Sequence, residues 1–301
     1  MTAAQIAASV IPDRSGREKT STSLFSGLMY GALAIAFLGL GAIIWDFASD
    51  GASVISWKFV SSFPSRVIPE RAGIESAIFG TIWLMVICAF LVVPIGVMTA
   101  VYLEEYADRD RWWNRMIEIN IQNLSAVPSV VYGILGLAFI VRGPIGMGPI
   151  VLAGGITLAL LVLPVVIIVA REAIRAVPPS IREGSLALGA TQWQTIWKQV
   201  LPGSIAGIST GVILALSRAI GETAPLLVIG AAVSPRFNPH WGVEGLGEHF
   251  TALPIQVFAW TQDPDRAFVS RAAGAILVLM VILMIMNSVA IWLRNRYEQK
   301  W

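Results

Sequence analysis

The sequence predicts an all-α integral membrane protein with six transmembrane helices. Three observations carry that reading. The chain is 56% hydrophobic and only 13% charged, whereas soluble domains carry about 25% charged residues. Six apolar segments, at 24–48, 74–103, 117–141, 150–170, 204–231 and 268–293, are each of spanning length, which for a helix is about 20 residues. The cationic side chains are also unequally divided between alternate loops, as the positive-inside rule requires.

That division sets the orientation. An even number of spans puts both termini on one side. With the termini cytoplasmic, the inner segments hold Arg14, Arg17, Lys19, Arg109, Arg111, Arg115, Arg171, Arg175, Arg182, Lys198, Arg294, Arg296 and Lys300. The outer loops keep the smaller share: Lys58, Arg66, Arg71, Arg142, Arg236, Arg266 and Arg271. The expected organisation is a cytoplasmic tail at 1–23 and a first span with its outer loop at 24–73. A five-span core at 74–293 and a cytoplasmic tail at 294–301 complete it. The first apolar run is too long for a cleavable signal segment and is expected to stay as a membrane helix.

In chain order, the first outer loop mixes Trp57, Phe59 and Val60 with Pro64 and Pro69, which suits a short strand or an interfacial segment. Pro94 and Gly96 are expected to interrupt the second span. The third carries Asn120, Gln122, Asn123 and Ser125 before Pro128, then Ser129, Tyr132 and Gly133. Polar side chains and a proline at membrane depth belong on a helix covered by protein or lining a cavity. Interhelical hydrogen bonding and substrate contact both account for them. The outer loop before the last span holds Phe250, Leu253, Ile255, Phe258 and Trp260, which suits an interfacial helix or a docking surface equally well.

The fifth segment carries the most unusual residue. Arg218 is expected near the midpoint of 204–231, where a charge costs about 2.5–3.5 kcal/mol on insertion scales. Glu222 follows four residues later, on the same helical face. Such a pair either fixes helix register or meets an anion crossing the membrane. Thr223, Asn123 and Ser129 are the polar neighbours expected to share that pathway.

The segment between spans four and five is strongly punctuated. Ser180 with Glu183 reads as an S-x-x-E capping box opening a helix. Gly189 stands where a helix C-terminus needs it. Thr191 with Gln194 opens a second helix carrying Trp193, Ile196, Trp197 and Val200, and Leu201-Pro202-Gly203 is expected to close it. Two short helices with apolar faces in the cytosol need another surface to cover them, on this chain or a partner.

Much chemistry is absent from the sequence. The four lysines follow Glu18, Trp57, Trp197 and Gln299, so none completes a phosphate-cradling Gly-Lys loop. His240 and His249 lack metal-ligand spacing and read as ordinary loop residues. Cys88 stands alone in an apolar run and reads as a small buried hydrophobe.

The stretch Glu183-Gly184-Ser185-Leu186-Ala187-Leu188-Gly189, followed by Leu201-Pro202, resembles the cytoplasmic signature of ABC importer permeases. Gly184 and Ser185 replace its two alanines, and Gln199 stands where an aliphatic residue is usual. Further stretches look like the phosphate-specific members: 102–107, Leu124-Ser125-Ala126-Val127-Pro128-Ser129-Val130-Val131-Tyr132-Gly133, 218–227 and 251–260. The Gly-Glu-Thr-Ala-Pro-Leu-Leu form is similar to the A-type (PstA) subunit rather than its C-type (PstC) partner.

The resemblance implies a type I (MetI-like) permease in the cytoplasmic membrane of a prokaryote, importing inorganic phosphate by alternating access. Its partners would be a PstC-type permease, an ABC ATPase dimer that binds ATP and Mg, and an extracytoplasmic phosphate-binding protein. No cofactor is expected in this chain. Glu183, Gly184, Ser185, Leu186, Ala187 and Gly189 would form the ATPase-coupling segment, and Arg218 and Glu222 the intramembrane charge pair. The rival readings are a permease for phosphonate, sulfate or molybdate, a secondary anion transporter or channel, and a purely structural membrane subunit.

Overall fold

The computed structural model describes residues 16–65, 67–108, 110–232, 235 and 237–297. Residues 1–15 of the expected tail 1–23 and 298–301 of the expected tail 294–301 lie outside the described residues, as do Arg66, Arg109 and Arg236. The chain divides into two units, Met1–Ser49 and Asp50–Trp301. The first is built from helix α1 (Gly16–Gly51), in which no described side chain from 22 to 49 is buried. Its residues Thr22–Gly51 are long and apolar enough to cross a membrane.

The second unit opens on a short helix α2 (Trp57–Val60), started by the Ser56 hydroxyl accepting from the Phe59 amide at 3.2 Å. Helix α3 (Glu75–Val101) and helix α6 (Val151–Arg175) then pack along one another as the spine of the molecule. Close approach is built into the sequence: a Cβ on Gly155 would lie 2.4 Å from Cγ2 of Ile87. Leu84, Cys88 and Val92 of α3 meet Leu158, Val162 and Val166 of α6 in the core. Cys88 is fully buried, as a small apolar residue would be.

Five helices of the described residues are long and apolar enough to cross a membrane: Thr22–Gly51, Glu75–Tyr106, Val151–Arg175, Gln192–Gly221 and Arg266–Arg296. A bent pair, α4 (Trp112–Ser125) with α5 and its continuation (Ser129–Val141), makes a sixth if counted as one span. The all-α, six-span expectation therefore holds, but three of the expected spans differ in form.

The third is not one rod. Its halves meet at 108°, because Pro128 has no amide to donate and its ring excludes the carbonyl four residues back. The fifth stops early. Helix α9 (Leu201–Gly221) ends at Gly221, and a separate helix α10 (Ala224–Val228) follows. Pro225 lies four residues beyond Gly221, so its ring would strike that carbonyl if the helix continued. The second, by contrast, is not interrupted at Pro94. Helix α3 runs through it and widens only at Tyr102–Tyr106, in a π-type turn.

The hairpin between spans four and five also departs from expectation at two points. Helix α7 (Pro179–Ala187) starts two residues before a Ser180–Glu183 box would open it, and no side chain caps its start. Pro179 occupies its first position, where a missing amide costs nothing. The second helix, α8 (Gln192–Thr195), is not closed by Pro202. It widens through a π-type turn at Ile196–Val200 and flows into α9, leaving Pro202 in that helix's first turn. The Thr191–Gln194 capping box is present in both directions, at 3.3 and 2.9 Å.

The segment before the last span forms helix α11 (Leu253–Thr261), with Leu253, Ile255 and Trp260 buried among α3 and the last helix, α12 (Arg266–Tyr297), and Phe258 exposed. Leu253 and Trp260 pack with Phe59, Ile74, Ala77 and Phe268. The Leu253 amide donates to the Thr81 hydroxyl of α3 at 2.9 Å.

Candidate functional site

Because α9 stops at Gly221, Arg218 sits in its last turn rather than at mid-span. That placement is electrostatically favourable, since a helix C-terminus carries partial negative charge. Glu222 is the first residue off the helix, with extended backbone (φ −77°, ψ 115°). Its carboxylate still reaches back to accept from Nε of Arg218 at 3.3 Å. The Arg218 side chain is 45% exposed and that of Glu222 19%. The guanidinium is therefore held on one edge and open on the other. Ser217, the preceding residue, donates to Asn287 of α12 at 2.7 Å, fixing the rotation of this helix end.

Thr223 follows Glu222 in the break and precedes α10. Helix α10 packs on α5 (Ser129–Leu135), which brings the second half of the bent pair to the Arg218 end. The approach is tight: a Cβ on Gly133 would lie 2.7 Å from Cα of Pro225. Tyr132 spans the 108° bend, its hydroxyl donating to the Leu124 carbonyl at 2.8 Å. Ser129 is half-buried at the start of α5 and Asn123 is exposed on the other side of the bend. Among the described residues, no hydrogen bond or ion pair joins Asn123, Ser129 or Thr223 to the Arg218–Glu222 pair. The structure gathers the breaks around Arg218 without assembling all five expected residues into one contact set.

The second candidate surface is the hairpin between spans four and five. Glu183, Gly184, Leu186, Ala187, Leu188 and Gly189 are exposed, and Leu188 is 91% exposed. Ser185 is half-buried and shares a 2.9 Å hydrogen bond with the Thr195 hydroxyl, tying α7 to α8. Gly189 takes φ +86° and ends α7. Its amide donates to Leu186 at 2.9 Å and the Ala190 amide to Ser185 at 3.2 Å, the paired bonds of a Schellman stop. Trp193 and Trp197 stack at 5.6 Å beside this turn, both exposed. A cleft of about 420 Å³ between the two helices is lined by residues including Ile181, Gly184, Leu188 and Lys198. Exposed Leu186, Leu188, Trp193 and Trp197 give this tip an apolar surface suited to an interaction site.

A family model described as "Binding-protein-dependent transport system inner membrane component" matches residues 92–301. The chain belongs to that family.

Its relatives are transporter permeases, so the chain is a membrane component of a transporter and not an enzyme. It is 31% identical over 293 residues to "Probable ABC transporter permease protein YqgI" of Bacillus subtilis, covering 94% of this chain and 97% of that one. It is 30% identical over 282 residues to "Phosphate transport system permease protein PstA 1" of Mycobacterium tuberculosis, covering 92% and 90%. Among solved structures, it superposes on a permease chain of a bacterial alginate ABC transporter with TM-score 0.67 at 14% identity, covering 96% and 99%. It superposes on a chain of the MetNI methionine ABC transporter with TM-score 0.61 at 15% identity, covering 74% and 95%. The fold is that of a MetI-type ABC importer permease, a multi-pass protein of the inner membrane.

Sequence reasoning missed a third feature, a charged network beneath the spans. Glu104 and Glu105 lie in the π-type turn that ends α3. Arg175 donates twice to Glu104, both at 3.1 Å, and Arg171 lies 3.0 Å from Glu118. Arg182 of α7 donates to Glu105 at 3.0 and 2.9 Å. In the sequence Arg175 and Glu104 are 71 residues apart, and Arg182 and Glu105 are 77 apart. Only the Glu-Glu pair at a span end hinted at partners.

Proposed function

We propose that this chain is the A-type permease of an ATP-driven importer for inorganic phosphate, working with a C-type permease, an ABC ATPase dimer and an extracytoplasmic phosphate-binding protein. The half-open Arg218–Glu222 pair carries the reading. Inorganic phosphate bears one to two negative charges near neutral pH, and a guanidinium binds such oxygens with a planar fork while staying charged. Glu222 holds Arg218 while the passage is empty and yields it when phosphate arrives. Its single 3.3 Å contact, on a half-exposed side chain, is weak enough to exchange. Thr223, Ser129 and Asn123 supply neutral hydrogen bonds further along the same passage, which runs between this chain and its permease partner. The likeness in sequence to phosphate transport permeases supports the choice of phosphate among oxyanions.

On the cytoplasmic side, Glu183, Gly184, Ser185, Leu186, Ala187 and Gly189 dock into the ATPase. ATP and magnesium are held by that partner, since no lysine here follows a glycine. Both termini are cytoplasmic in this reading, which puts the hairpin on the ATPase side. Competition in vesicles containing the whole importer tests the substrate. Unlabelled phosphate is expected to displace labelled phosphate far better than phosphonate, sulfate or molybdate. Stronger displacement by one of those anions would reassign the permease to it.

A further inference from the structure

The hairpin is joined through the chain to spans four and five only, yet its side chains grip a different span. Arg182 of α7 sends Nε and one Nη to the same Glu105 oxygen, at 3.0 and 2.9 Å. It also donates to the carbonyls of Ile174, in the last turn of the fourth span, and of Val177, just beyond it. Gln192, at the start of α8, donates to the Glu105 backbone carbonyl at 2.6 Å. Both hairpin helices therefore close on one residue at the foot of α3. The Arg182 and Glu105 side chains are 22% and 10% exposed, so the pair is largely withdrawn from water. Breaking it by removing one partner strands a buried charge.

We infer that Arg182 and Glu105 form a clamp by which movement of the hairpin is passed to the second span directly, and not only through spans four and five. The inference rests on the reading of 183–189 as the ATPase-docking segment. Helix α3 is the element most extensively packed on α6, so a push at its foot is carried into the whole core as a rigid rod. The widened turn Tyr102–Tyr106 lets Glu104 and Glu105 face different partners: Glu104 bonds the arginines of span four, and Glu105 bonds the hairpin. Arg182 is a positioning residue in this scheme. It touches neither phosphate nor nucleotide.

The test uses the assembled importer in vesicles and measures ATP hydrolysed per phosphate imported. Arg182→Gln and Glu105→Gln are each expected to raise that ratio at least about fivefold, the low end of typical coupling between sites. The double variant is expected to be no worse than either single one, because the pair acts as a unit. Arg182→Lys, which keeps charge without the fork, should recover part of the loss. In parallel, a Leu188→Cys variant is crosslinked to an ATPase carrying a cysteine in its docking groove, with and without Arg182→Gln. No crosslink in the parent would remove the docking reading itself. A crosslink in both backgrounds, with unchanged coupling in the Gln variants or strictly additive losses, would overturn the clamp while leaving docking in place.

Discussion

A guanidinium in the last turn of a helix, beside a break, has room to exchange partners that one at mid-helix lacks. Arg218 gains from the helix dipole, leans on Glu222 and still presents almost half its side chain. The sequence showed the i, i+4 pair and its cost in a membrane, and the pair is present. It did not show that Pro225 would end the helix within one turn of Arg218. At the same scale, His240 and Glu248 form a pair on the loop before α11. The Glu248 hydrogen bond holds the His240 pKa above its ordinary 6.5, and the same bond holds Glu248 below 4.5. The histidine's contribution is thus complete below pH 6.5 and lost as pH rises through its raised value. The carboxylate's is complete above pH 4.5 and lost as pH falls through its lowered value. NMR titration of His240 should give a midpoint above 6.5 that returns to about 6.5 in Glu248→Gln. An unchanged midpoint in that variant would show that the pair does not form in solution.

At the scale of elements, local chemistry was legible wherever one residue type decides the backbone. Gly189 and the Thr191–Gln194 box were readable because an αL stop and a reciprocal cap each need particular side chains. The Ser180–Glu183 box had the right residues, but Pro179 started the helix first. Prolines misled in both directions. Pro94 and Pro202 are carried within helices, whereas Pro128 and Pro225 end them. What separates the cases is tertiary: α3 is held straight against α6, and a widened turn precedes Pro202. Gly189 gives the element-scale prediction. A Cβ there meets nothing within 4 Å, so backbone strain alone penalises substitution. Valine at φ +86° costs roughly 1–2 kcal/mol or more. Gly189→Val is expected to bend the hairpin tip and uncouple ATP hydrolysis from uptake. Gly189→Asn, which tolerates that φ, should couple nearly as the parent does. Normal coupling in Gly189→Val would separate the turn from the coupling role.

For the whole molecule, the six apolar segments gave the class and the order of spans, because burial in lipid demands continuous apolar length. Which helices enclose which was not legible. α3 and α6 form the spine, and α11, an outer-loop segment by sequence, is part of the core. Those pairings depend on contacts between residues far apart in the chain, as does the Glu104–Glu105 network. The same holds for the site: Arg218 and the 183–189 hairpin were visible as local patterns, while the packing of α5 on α10 beside Arg218 was not. Together these features describe a permease whose proposed anion contact and proposed ATPase contact lie on different elements, Arg218 at the end of α9 and 183–189 at the end of α7. The measurement that bears most directly on this account is ATP-driven uptake of labelled phosphate by vesicles containing the full importer with Arg218→Gln. The account predicts uptake at background with the complex still assembled; assembly with uptake equal to the parent would contradict it.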